Sequence, residues 1–492
     1  MSTLTSGIRY GYDCNGNFRT NEFVPSPHQV FTTDYFLNSE YDGIVLYHKL
    51  GSGKTCTSIM IADELLERGE IEKVYVLSPG SLRINFVQEY CKVCGLSEET
   101  LRNDFVFISY NYNIQYGLDE IDFNNSLIIV DEAHNLIRGA KNESVNTFLL
   151  YNKILDSNAK VVLLTGTPVI QNEDEIILIL KLLTKNRDIY TYNPQNLSGL
   201  VSFFPGYSED YPEVIYNEPI KVFMSEPQNN EYLKYFRYEN SIRRNYPKKK
   251  DFSTVKEYNE AVTKFILAQN WLRTRRTSNF YYPDNIKYSK DVLTSEDPNG
   301  WVNTRSLSND AMLTYSPKFL AVLLNIMKNF DGKHMVYSFY KTKSGVQILE
   351  TLLKKCGIPT AIFSGDQTSM NKQRILNTFN SPRNRNGDLI KVILVTEAGG
   401  EGITLLETNN MHILESSLPP NKINQAIGRV VRFRSHANLP ADKRYVNIWK
   451  YWSEPLNGKK GIDEILSTTS LNKSKDIDEL LKNFEDFSIE NM

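Results

Sequence analysis

Five short, unbroken apolar runs dominate the first third of the chain, at residues 44–46, 74–77, 105–108, 127–130 and 161–164. Uninterrupted runs of this length are typical of strands that are buried on both faces of a parallel sheet. Strand and helix patterns alternate after the first run, and small or polar residues follow each run at its carboxyl end. Because ligands bind at the carboxyl ends of strands in such sheets, the pattern predicts a parallel α/β domain with a site at that edge.

The alternation is lost from about residue 185 and returns near residue 316, with further apolar runs at 335–339, 361–363, 392–395 and 411–414. The predicted fold class is therefore α/β, with two parallel-sheet domains and a mainly helical insert between them. The predicted divisions are an extended lead-in at 1–24, a first domain at 25–184, the insert at 185–315, a second domain at 316–457 and a helical segment at 458–492.

A glycine-rich loop follows the first apolar run, and a helical pattern follows the loop. Backbone N–H groups freed by Gly51 and Gly53 can wrap phosphates, Lys54 adds a positive charge, and the Thr55 hydroxyl can hold Mg²⁺. The usual motif opens with Gly or Ala, but His48 stands in that place here. The alternative is a glycine-rich turn with a chance Lys-Thr. The predicted nucleotide segment comprises Leu50, Gly51, Ser52, Gly53, Lys54, Thr55 and Cys56.

Two adjacent carboxylates, Asp131 and Glu132, follow the fourth apolar run. Asp131 can hold the Mg²⁺ that bridges the phosphates, and Glu132 can orient and deprotonate the attacking water. The alternative is a surface pair that caps the next helix. It is less favoured because the run before it places the pair at the same sheet edge as Lys54. The turn at residues 165–168 follows the next run and is predicted to sense the γ-phosphate.

Composition narrows the classes of protein. The 492 residues are 41% hydrophobic and 23% charged, which describes a globular protein of about three domains. The sequence lacks an apolar run of ~20 residues, and its first 16 residues lack the apolar core of a secretory signal. Five cysteines are too few for a disulfide framework, and Cys91 and Cys94 are predicted to be a plain thiol pair. We therefore expect a reducing compartment.

The net charge of −2 means that any contact with nucleic acid must use a local basic patch. Residues 234–276 contain twelve Lys or Arg against four Asp or Glu, with aromatic residues interleaved. That mixture suits phosphate contacts and base stacking, but a solvated helical insert with an aromatic core explains it equally well. The predicted nucleic-acid residues in this stretch are Lys248, Lys249, Lys250, Arg275 and Arg276.

Two further segments of the second domain carry chemistry. Three glycines within residues 396–403 would let the backbone approach a ligand closely. Arg429 and Arg432 are three residues apart, so on a helix they would share a face. Arginines presented from a second domain to a nucleotide on the first would act as arginine fingers.

Four motifs in order resemble superfamily 2 helicases with two RecA-like domains: Gly-Ser-Gly-Lys-Thr, Asp-Glu-Ala-His, Thr-Gly-Thr-Pro and Gln-x-x-Gly-Arg-x-x-Arg. Residues 164–172 resemble the Swi/Snf translocase branch more than the DEAD-box branch. A narrower resemblance, at residues 275–283 and 432–446, is to poxvirus nucleoside triphosphate phosphohydrolase I, the small subunit of the poxvirus early transcription factor, and their relatives in large cytoplasmic DNA viruses.

This resemblance implies roles for individual residues. It makes Lys54 the Walker lysine, Asp131 the Mg²⁺ ligand and Glu132 the catalytic carboxylate. It also places Gln29 at the adenine, although Gln29 could simply be an ordinary residue at a helix start. The remaining implied positions are Arg429, Arg432 and Gln425 in catalysis, Gly400 at the nucleotide, and Ser78, Pro79, Thr396 and Gly402 at the nucleic-acid backbone.

The sequence thus predicts a DNA-dependent ATPase of the translocase kind that uses ATP and Mg²⁺ and serves viral transcription. The resemblance implies nucleic acid as a partner, with DNA favoured over RNA, and a viral RNA polymerase as a second partner. We expect a monomer in the host cytoplasm or the virion, without a membrane partner. Two alternatives stay open, an unwinding RNA or DNA helicase and a non-catalytic scaffold that binds DNA and polymerase.

Overall fold

The computed structural model describes residues 24–49, 51–79, 83, 86–87, 90, 104–110, 121–169, 172–248, 251, 254–282, 309–342, 344–397, 399–400, 403–417 and 421–492. The chain forms two compact units. The first contains Met1–Tyr207 and Lys473–Met492, and the second contains Ser208–Asn472.

The first unit alternates helices with strands. Its helices are α1 (Pro27–Asn38), α2 (Lys54–Glu67), α3 (His134–Lys141), α4 (Val145–Leu155) and α5 (Glu173–Thr184). Its strands are β1 (Gly43–His48), β2 (Lys73–Ser78), β3 (Phe105–Ser109), β4 (Ser126–Asp131), β5 (Lys160–Thr165) and β6 (Val201–Phe204). All five apolar runs that predict strands in this part of the chain lie within β1–β5.

Within the described residues, these strands form one parallel sheet in the order β3-β2-β4-β5-β1-β6. Strand β5 therefore lies between β1 and β4. Tyr47 of β1 pairs with Thr165 of β5, and Asp131 of β4 pairs with Leu164, so the three strands end at the same level.

Successive side chains of each strand enter opposite faces of this sheet, and each face has its own core. Val45 and Val130 belong to one cluster, which α3, α4 and α5 cover, whereas Leu46 and Ile129 belong to the other, which α1 and α2 cover. Burial on both faces explains why the strands are continuously apolar instead of alternating.

The second unit begins with β7 (Glu213–Tyr216) and β8 (Ile220–Phe223). Its other strands are β9 (Lys333–Ser338), β10 (Thr360–Phe363), β11 (Val392–Thr396), β12 (Thr408–Ile413) and β13 (Tyr445–Glu454). Its helices are α6 (Glu226–Arg243), α7 (Val255–Gln269), α8 (Leu272–Asn279), α9 (Asn309–Tyr315), α10 (Pro317–Lys328), α11 (Val346–Lys355), α12 (Ser369–Phe379) and α13 (Asn421–Ile427). A last helix, α14 (Ile462–Asp486), begins in this unit and ends in the first.

The described strands of the second unit also pair in parallel, in the order β10-β11-β9-β12-β13-β7, and β8 pairs with the second half of β13. Neighbouring residues again face different cores, since Val336 and Leu394 join one cluster and Met335 and Val395 join the other. The predicted class, two parallel α/β domains in tandem, is confirmed.

Residues 185–315, predicted as an insert of their own, are divided between the two units, since the division falls between Tyr207 and Ser208. The physical reason is strand pairing. Strand β6 extends the first sheet beside β1, whereas β7 and β8 both pair with β13 of the second. These strands are only four residues long, and β7 and β8 are partly exposed, so the sequence carries little apolar signal for them. Of the predicted lead-in, only Val24 is described.

None of the helices in the described part of the chain is both long and apolar enough to span a bilayer.

Candidate nucleotide site

The predicted phosphate loop connects the carboxyl end of β1 to the start of α2. Gly51 has a φ of 83° and Gly53 a φ of 87°, a left-handed backbone that glycine adopts without steric cost. Gly53 occupies the cap position of α2, and no side chain caps this helix among the residues described. A helix start directs its first backbone N–H groups outward, and the positive end of the helix dipole there favours an anion.

Side chains from two directions hold the carbonyl groups of this loop. The Lys54 ammonium donates to the carbonyl oxygens of His48 at 2.7 Å and Lys49 at 3.3 Å. On the side of α1, Nε2 of His28 lies 3.0 Å from the Ser52 carbonyl oxygen, and Nε2 of Gln29 donates to the Gly53 carbonyl oxygen at 3.1 Å. With its carbonyls so occupied, the loop can turn its N–H groups toward an anion.

Two observations test whether a phosphate group fits here. The Ser52 hydroxyl oxygen is buried and has no hydrogen-bond partner within the described part of the chain. A Cβ added at Gly53 would collide with Nε2 of Gln29, so only glycine allows this close approach. A cradle with one orphaned polar atom and an uncapped helix start is suited to a phosphate.

The two neighbouring strands end beside the loop in polar residues. Thr165, at the end of β5, is buried, and its hydroxyl accepts a hydrogen bond from the Thr167 N–H at 3.0 Å. Beyond β5, strand β4 ends at Asp131, and Glu132 follows. The order β4-β5-β1 therefore brings the acidic pair, the 165–168 turn and the phosphate loop to adjacent positions along one sheet edge.

The acidic pair has an unusual backbone. Glu132 has a φ of 50°, which is uncommon for a residue other than glycine and costs about 1 kcal/mol or more. Its N–H donates to Oδ1 of Asp131 at 3.0 Å, and its carboxylate lies 3.5 Å from Nδ1 of His134. Oxygen ligands from Thr55 and Asp131 are of the type that Mg²⁺ prefers, so the donor set fits this metal.

Tyr110 supports the acidic pair from behind. Its buried hydroxyl donates to the Asp131 carbonyl oxygen at 2.8 Å. Burial, with the nearby carboxylates of Asp131 and Glu132, raises the pKa of Tyr110 well above its usual value. The phenol is therefore always protonated near neutral pH and always able to donate.

Gln29 is almost fully buried, and its side chain has partners at both ends. Oε1 accepts from the Ser26 N–H at 2.8 Å in a capping box at the start of α1, and Nε2 binds the loop at Gly53. The interpretation of Gln29 as a helix-start residue is confirmed, with a loop contact that the sequence does not predict. Its contact with adenine stays a prediction.

In the second unit, the expectation that Arg429 and Arg432 share a helical face is wrong. Helix α13 ends at Ile427, and the chain continues in turns in which the Arg429 and Val430 N–H groups bond three residues back. The Arg432 guanidinium contacts the Ile403 carbonyl oxygen at 3.2 Å and the Thr404 hydroxyl, and Arg429 is buried. Their catalytic roles stay predictions.

Other predicted residues of this unit lie at the carboxyl edge of its sheet or just after it. Thr396 is buried at the end of β11, and its carbonyl oxygen accepts from the Gly400 N–H at 2.9 Å. The backbone is tight here, since a Cβ on Gly399 would lie 2.5 Å from the Phe363 carbonyl oxygen. Gln425 is half-buried on α13, while in the first unit Ser78 is buried at the end of β2 and Pro79 is half-buried after it.

The basic residues of the stretch 234–276 differ in their surroundings. Arg275 is half-buried, donates to the Ser416 carbonyl oxygen at 2.8 Å and lies over the Phe339 ring, so it helps to hold the second unit together. Arg276 is also half-buried, over the ring of Tyr340. Lys248 is exposed. The predicted positions Leu50, Lys249, Lys250, Gly402, Cys91 and Cys94 lie outside the described residues.

Four side chains that hold the site are not predicted from the sequence: His28, Tyr110, Ser202 and Glu490. His28 and Tyr110 carry a local signal, since they are polar residues next to Gln29 and to the end of β3. Ser202 and Glu490 form a hydrogen bond with each other across 288 residues, and no local pattern marks such a pair.

Residues 317–434 match the helicase conserved C-terminal domain. Two Acanthamoeba polyphaga mimivirus proteins that are named as ATP-dependent RNA helicases, R563 and L538, are each 27% identical to this chain. The alignments cover 89% of the chain and 83% of R563, and 94% of the chain and 97% of L538. The termination factor NPH-I homolog of African swine fever virus is 26% identical over 88% of the chain and 74% of its own length.

Two solved structures also align with most of the chain. The Sulfolobus solfataricus SWI2/SNF2 ATPase core, solved in complex with dsDNA, is 15% identical, with a TM-score of 0.38 over 97% of this chain and 98% of its own. The Pyrococcus furiosus Hef helicase domain is 16% identical, with a TM-score of 0.48 over 91% of this chain and 98% of its own.

Proposed function

We propose that this chain, a helicase-type ATPase of superfamily 2 with a helicase conserved C-terminal domain, translocates along DNA and serves viral transcription. The observation that carries the proposal is the order β4-β5-β1, which aligns the acidic pair, the 165–168 turn and the phosphate loop on three adjacent strands. Nucleotide hydrolysis requires these groups close together, because the phosphate loop binds the phosphates and the acidic pair activates the attacking water beside them.

In this proposal the loop N–H groups and the start of α2 bind the β- and γ-phosphates. Lys54, which now rests on carbonyl oxygens of its own loop, moves its ammonium onto the phosphates. A Mg²⁺ ion held by Thr55 and Asp131 would neutralise charge on the phosphates. Glu132 orients the attacking water and accepts its proton.

We also assign roles in hydrolysis to Arg429, Arg432 and Gln425 of the second unit. Their role follows from the resemblance to superfamily 2 helicases, in which arginines stabilise the charge that develops on the transferred phosphoryl group. The Arg432 guanidinium contacts a carbonyl oxygen and a hydroxyl within its own unit, so its side chain is held in a defined geometry.

We propose that the nucleic acid contacts both units, at Ser78 and Pro79 in the first and at Thr396 and Gly402 in the second. Part of the basic stretch adds to this surface. Arg273 is exposed and lies 5.6 Å from the ring centroids of Tyr235 and Tyr238, a pairing of cation and aromatic rings suited to phosphate and base contacts. Lys248 to Lys250 and Arg276 are the other candidates.

The names of the relatives support two different functions, one in transcription and one on RNA. The African swine fever virus relative is named as a termination factor, which supports a role in viral transcription and, by the same proposal, a viral polymerase as partner. The two mimivirus relatives are named as RNA helicases, which supports the second candidate function, the unwinding of RNA.

An ATPase assay with single-stranded DNA, duplex DNA and RNA in parallel tests the proposal. A DNA translocase should be stimulated most by DNA, and it should displace the third strand of a DNA triplex without separating a duplex. Stimulation by RNA together with strand separation would support the helicase instead. A turnover rate unaffected by any nucleic acid would contradict both.

Glu132→Gln provides the catalytic test. The amide keeps the shape of the side chain but cannot accept the proton of the water, so turnover should fall ~100-fold or more while nucleotide binding stays nearly intact. Lys54→Ala should weaken nucleotide binding as well. Near-normal turnover by the Glu132→Gln variant would refute the role given to Glu132.

A further inference from the structure

Glu490 lies at the edge of the first sheet, against β6. Its Oε1 accepts a hydrogen bond from the Ser202 hydroxyl at 2.5 Å, and its Oε2 accepts from the Phe203 N–H at 2.8 Å. Strand β6 ends the described sheet, so Phe203 directs this N–H away from β1. A carboxylate that takes both bonds fixes the position of β6 at residues 202 and 203, because charged acceptors form the stronger hydrogen bonds.

Ser202 connects Glu490 to two buried side chains of the first unit. Its fully buried hydroxyl lies 2.8 Å from Nε2 of His48 and 2.8 Å from the Thr32 hydroxyl. A hydroxyl has one proton to donate and two lone pairs to accept with. If Ser202 donates to Glu490, both remaining contacts are donated to Ser202, so the imidazole of His48 carries its proton on Nε2.

His48 stands at the first position of the phosphate-loop motif, where Gly or Ala is usual. The ring is completely buried, and burial together with the charge of Lys54 and the neighbouring His28 holds the pKa of His48 well below its usual value. The neutral ring depends on Ser202 for a hydrogen bond at Nε2. The carbonyl oxygen of the same residue accepts from the Lys54 ammonium.

A second contact runs from β6 to the loop. The ring of Phe204 stacks on His28 with 3.6 Å between the ring centroids, and Nε2 of His28 contacts the Ser52 carbonyl oxygen. The Phe204 carbonyl oxygen also accepts from the Lys49 N–H at 2.9 Å. Strand β6 therefore contacts one end of the loop directly, at Lys49, and supports the other end, at Ser52, through His28.

We propose that Glu490 is a positioning residue for nucleotide binding, which acts through Ser202 and His48 to set the geometry of the phosphate loop. This inference rests on the proposed role of that loop. The adjoining helix strengthens the arrangement, because Phe484 of α14 packs edge-on against Tyr47, the residue before His48. Phe484 thus supports Tyr47, and Glu490 supports His48 through Ser202.

The test measures ADP binding to the full-length chain by isothermal titration calorimetry. Glu490→Ala removes both acceptors and should weaken ADP binding on the order of tenfold, as the loss of hydrogen bonds to a charged group can. In steady-state ATP hydrolysis, KM should rise more than kcat falls, because the loop binds substrate and transition state alike. Glu490→Gln keeps an acceptor for Ser202 and should recover part of the affinity.

A double-mutant cycle separates positioning from general stability. Ser202→Ala should weaken ADP binding to a similar extent, and adding Glu490→Ala to it should change the affinity less than twofold, since both act through one path. Glu485→Ala, an exposed change on the same segment, is the matched control and should bind ADP as the unmodified chain does.

Unchanged ADP affinity in Glu490→Ala with a lower thermal unfolding temperature would overturn the inference and leave Glu490 a purely structural contact. Additive losses in the cycle would also overturn it. Lys54→Ala distinguishes this failure from that of the proposed function: if Lys54→Ala loses ADP affinity, the loop binds nucleotide whatever Glu490 does. If Lys54→Ala binds ADP normally, the role of the loop itself is refuted.

Discussion

The second unit should lose stability in mild acid because its buried histidines are held neutral. The sequence places three histidines within residues 208–472, His334, His412 and His436, and all three are buried. Nδ1 of His334 lies 3.0 Å from Nε2 of His412, and Nδ1 of His412 lies 2.8 Å from the Tyr451 hydroxyl. Protonating both rings of the pair would put two cations side by side in the core.

Burial, with the nearby Lys391, lowers the pKa of His334 to about 3, and burial lowers that of His436 to about 4. For His412, burial and the neighbouring His334 lower the pKa well below its usual value. The unfolded chain regains the ordinary pKa near 6.5, so it binds more protons than the folded chain as the pH falls through that value. Between pH 7 and pH 5 each histidine then removes about 2 kcal/mol from the free energy of unfolding.

Glu415 acts in the opposite sense. Burial raises its pKa, so protonation favours its folded form and reduces the net loss in acid. The clean measurement is therefore a comparison of variants. His334→Gln should lose about 2 kcal/mol less than the unmodified chain between pH 7 and pH 5, since one titrating group is gone while Glu415 stays.

Urea unfolding followed by tryptophan fluorescence suits this test, because three of the four tryptophans, at positions 271, 449 and 452, lie in the second unit, and the fourth, at 301, lies outside the described residues. Tyr451→Phe is the control, since it removes a hydrogen bond from His412 but leaves every histidine in place. Its pH dependence should match that of the unmodified chain. An equal loss in acid for His334→Gln and the unmodified chain would refute the reasoning.

The other predictions concern the candidate nucleotide site and the binding of nucleic acid. Tyr110→Phe frees the Asp131 carbonyl oxygen, so kcat should fall severalfold in an ATPase assay while ADP affinity by calorimetry stays within about twofold; unchanged kcat would count against the support of the acidic pair by Tyr110. Arg429→Ala should slow hydrolysis by roughly 100-fold or more without a large change in nucleotide affinity, and normal turnover with nucleic acid present would refute its catalytic role. Replacing the lysines at 248–250 by Ala should flatten the plot of log affinity for nucleic acid against log salt by about two units. Equal affinity and slope would make this run a solvated face.

Local patterns predicted the sheets and the chemistry at their edges well. The runs at residues 127–130 and 161–164 became β4 and β5 because buried parallel strands must be continuously apolar. The glycines at 51 and 53 marked the loop because their left-handed backbone leaves glycine as the favoured residue. In both cases the physical requirement falls on a few consecutive residues, so a short window of sequence contains it.

The rest depended on partners that are distant in sequence. Strand β7 has only four residues, three of them with substantial exposure, so it exists through its pairing with β13 and not through its own apolarity. The turn that ends α13 at Ile427 interrupts a helical spacing that would have put Arg429 and Arg432 on one face. The guanidinium of Arg275 contacts the Ser416 carbonyl oxygen, 141 residues away, which its charge alone does not predict, while its contact with nucleic acid stays a prediction.

The side-chain contacts that hold the phosphate loop follow from one departure from its motif, His48 in place of the usual Gly or Ala. A glycine at position 48 would have no side chain that needs hydrogen bonds, whereas an imidazole places two ring nitrogens in a dry core. There, a polar atom without a hydrogen bond costs from about 1 to several kcal/mol of stability. Ser202 satisfies one nitrogen of His48, but its own hydroxyl then needs an acceptor, and Glu490 supplies it. Glu490 lies at the exposed edge of the first sheet, and burial of its carboxylate raises its pKa. The chain of dependence can end there because an ionised carboxylate only accepts hydrogen bonds and needs no further acceptor. The departure from the motif at His48 therefore accounts for contacts as distant in sequence as Glu490. It also explains why we expect a change at Glu490 to alter the binding of the nucleotide phosphates.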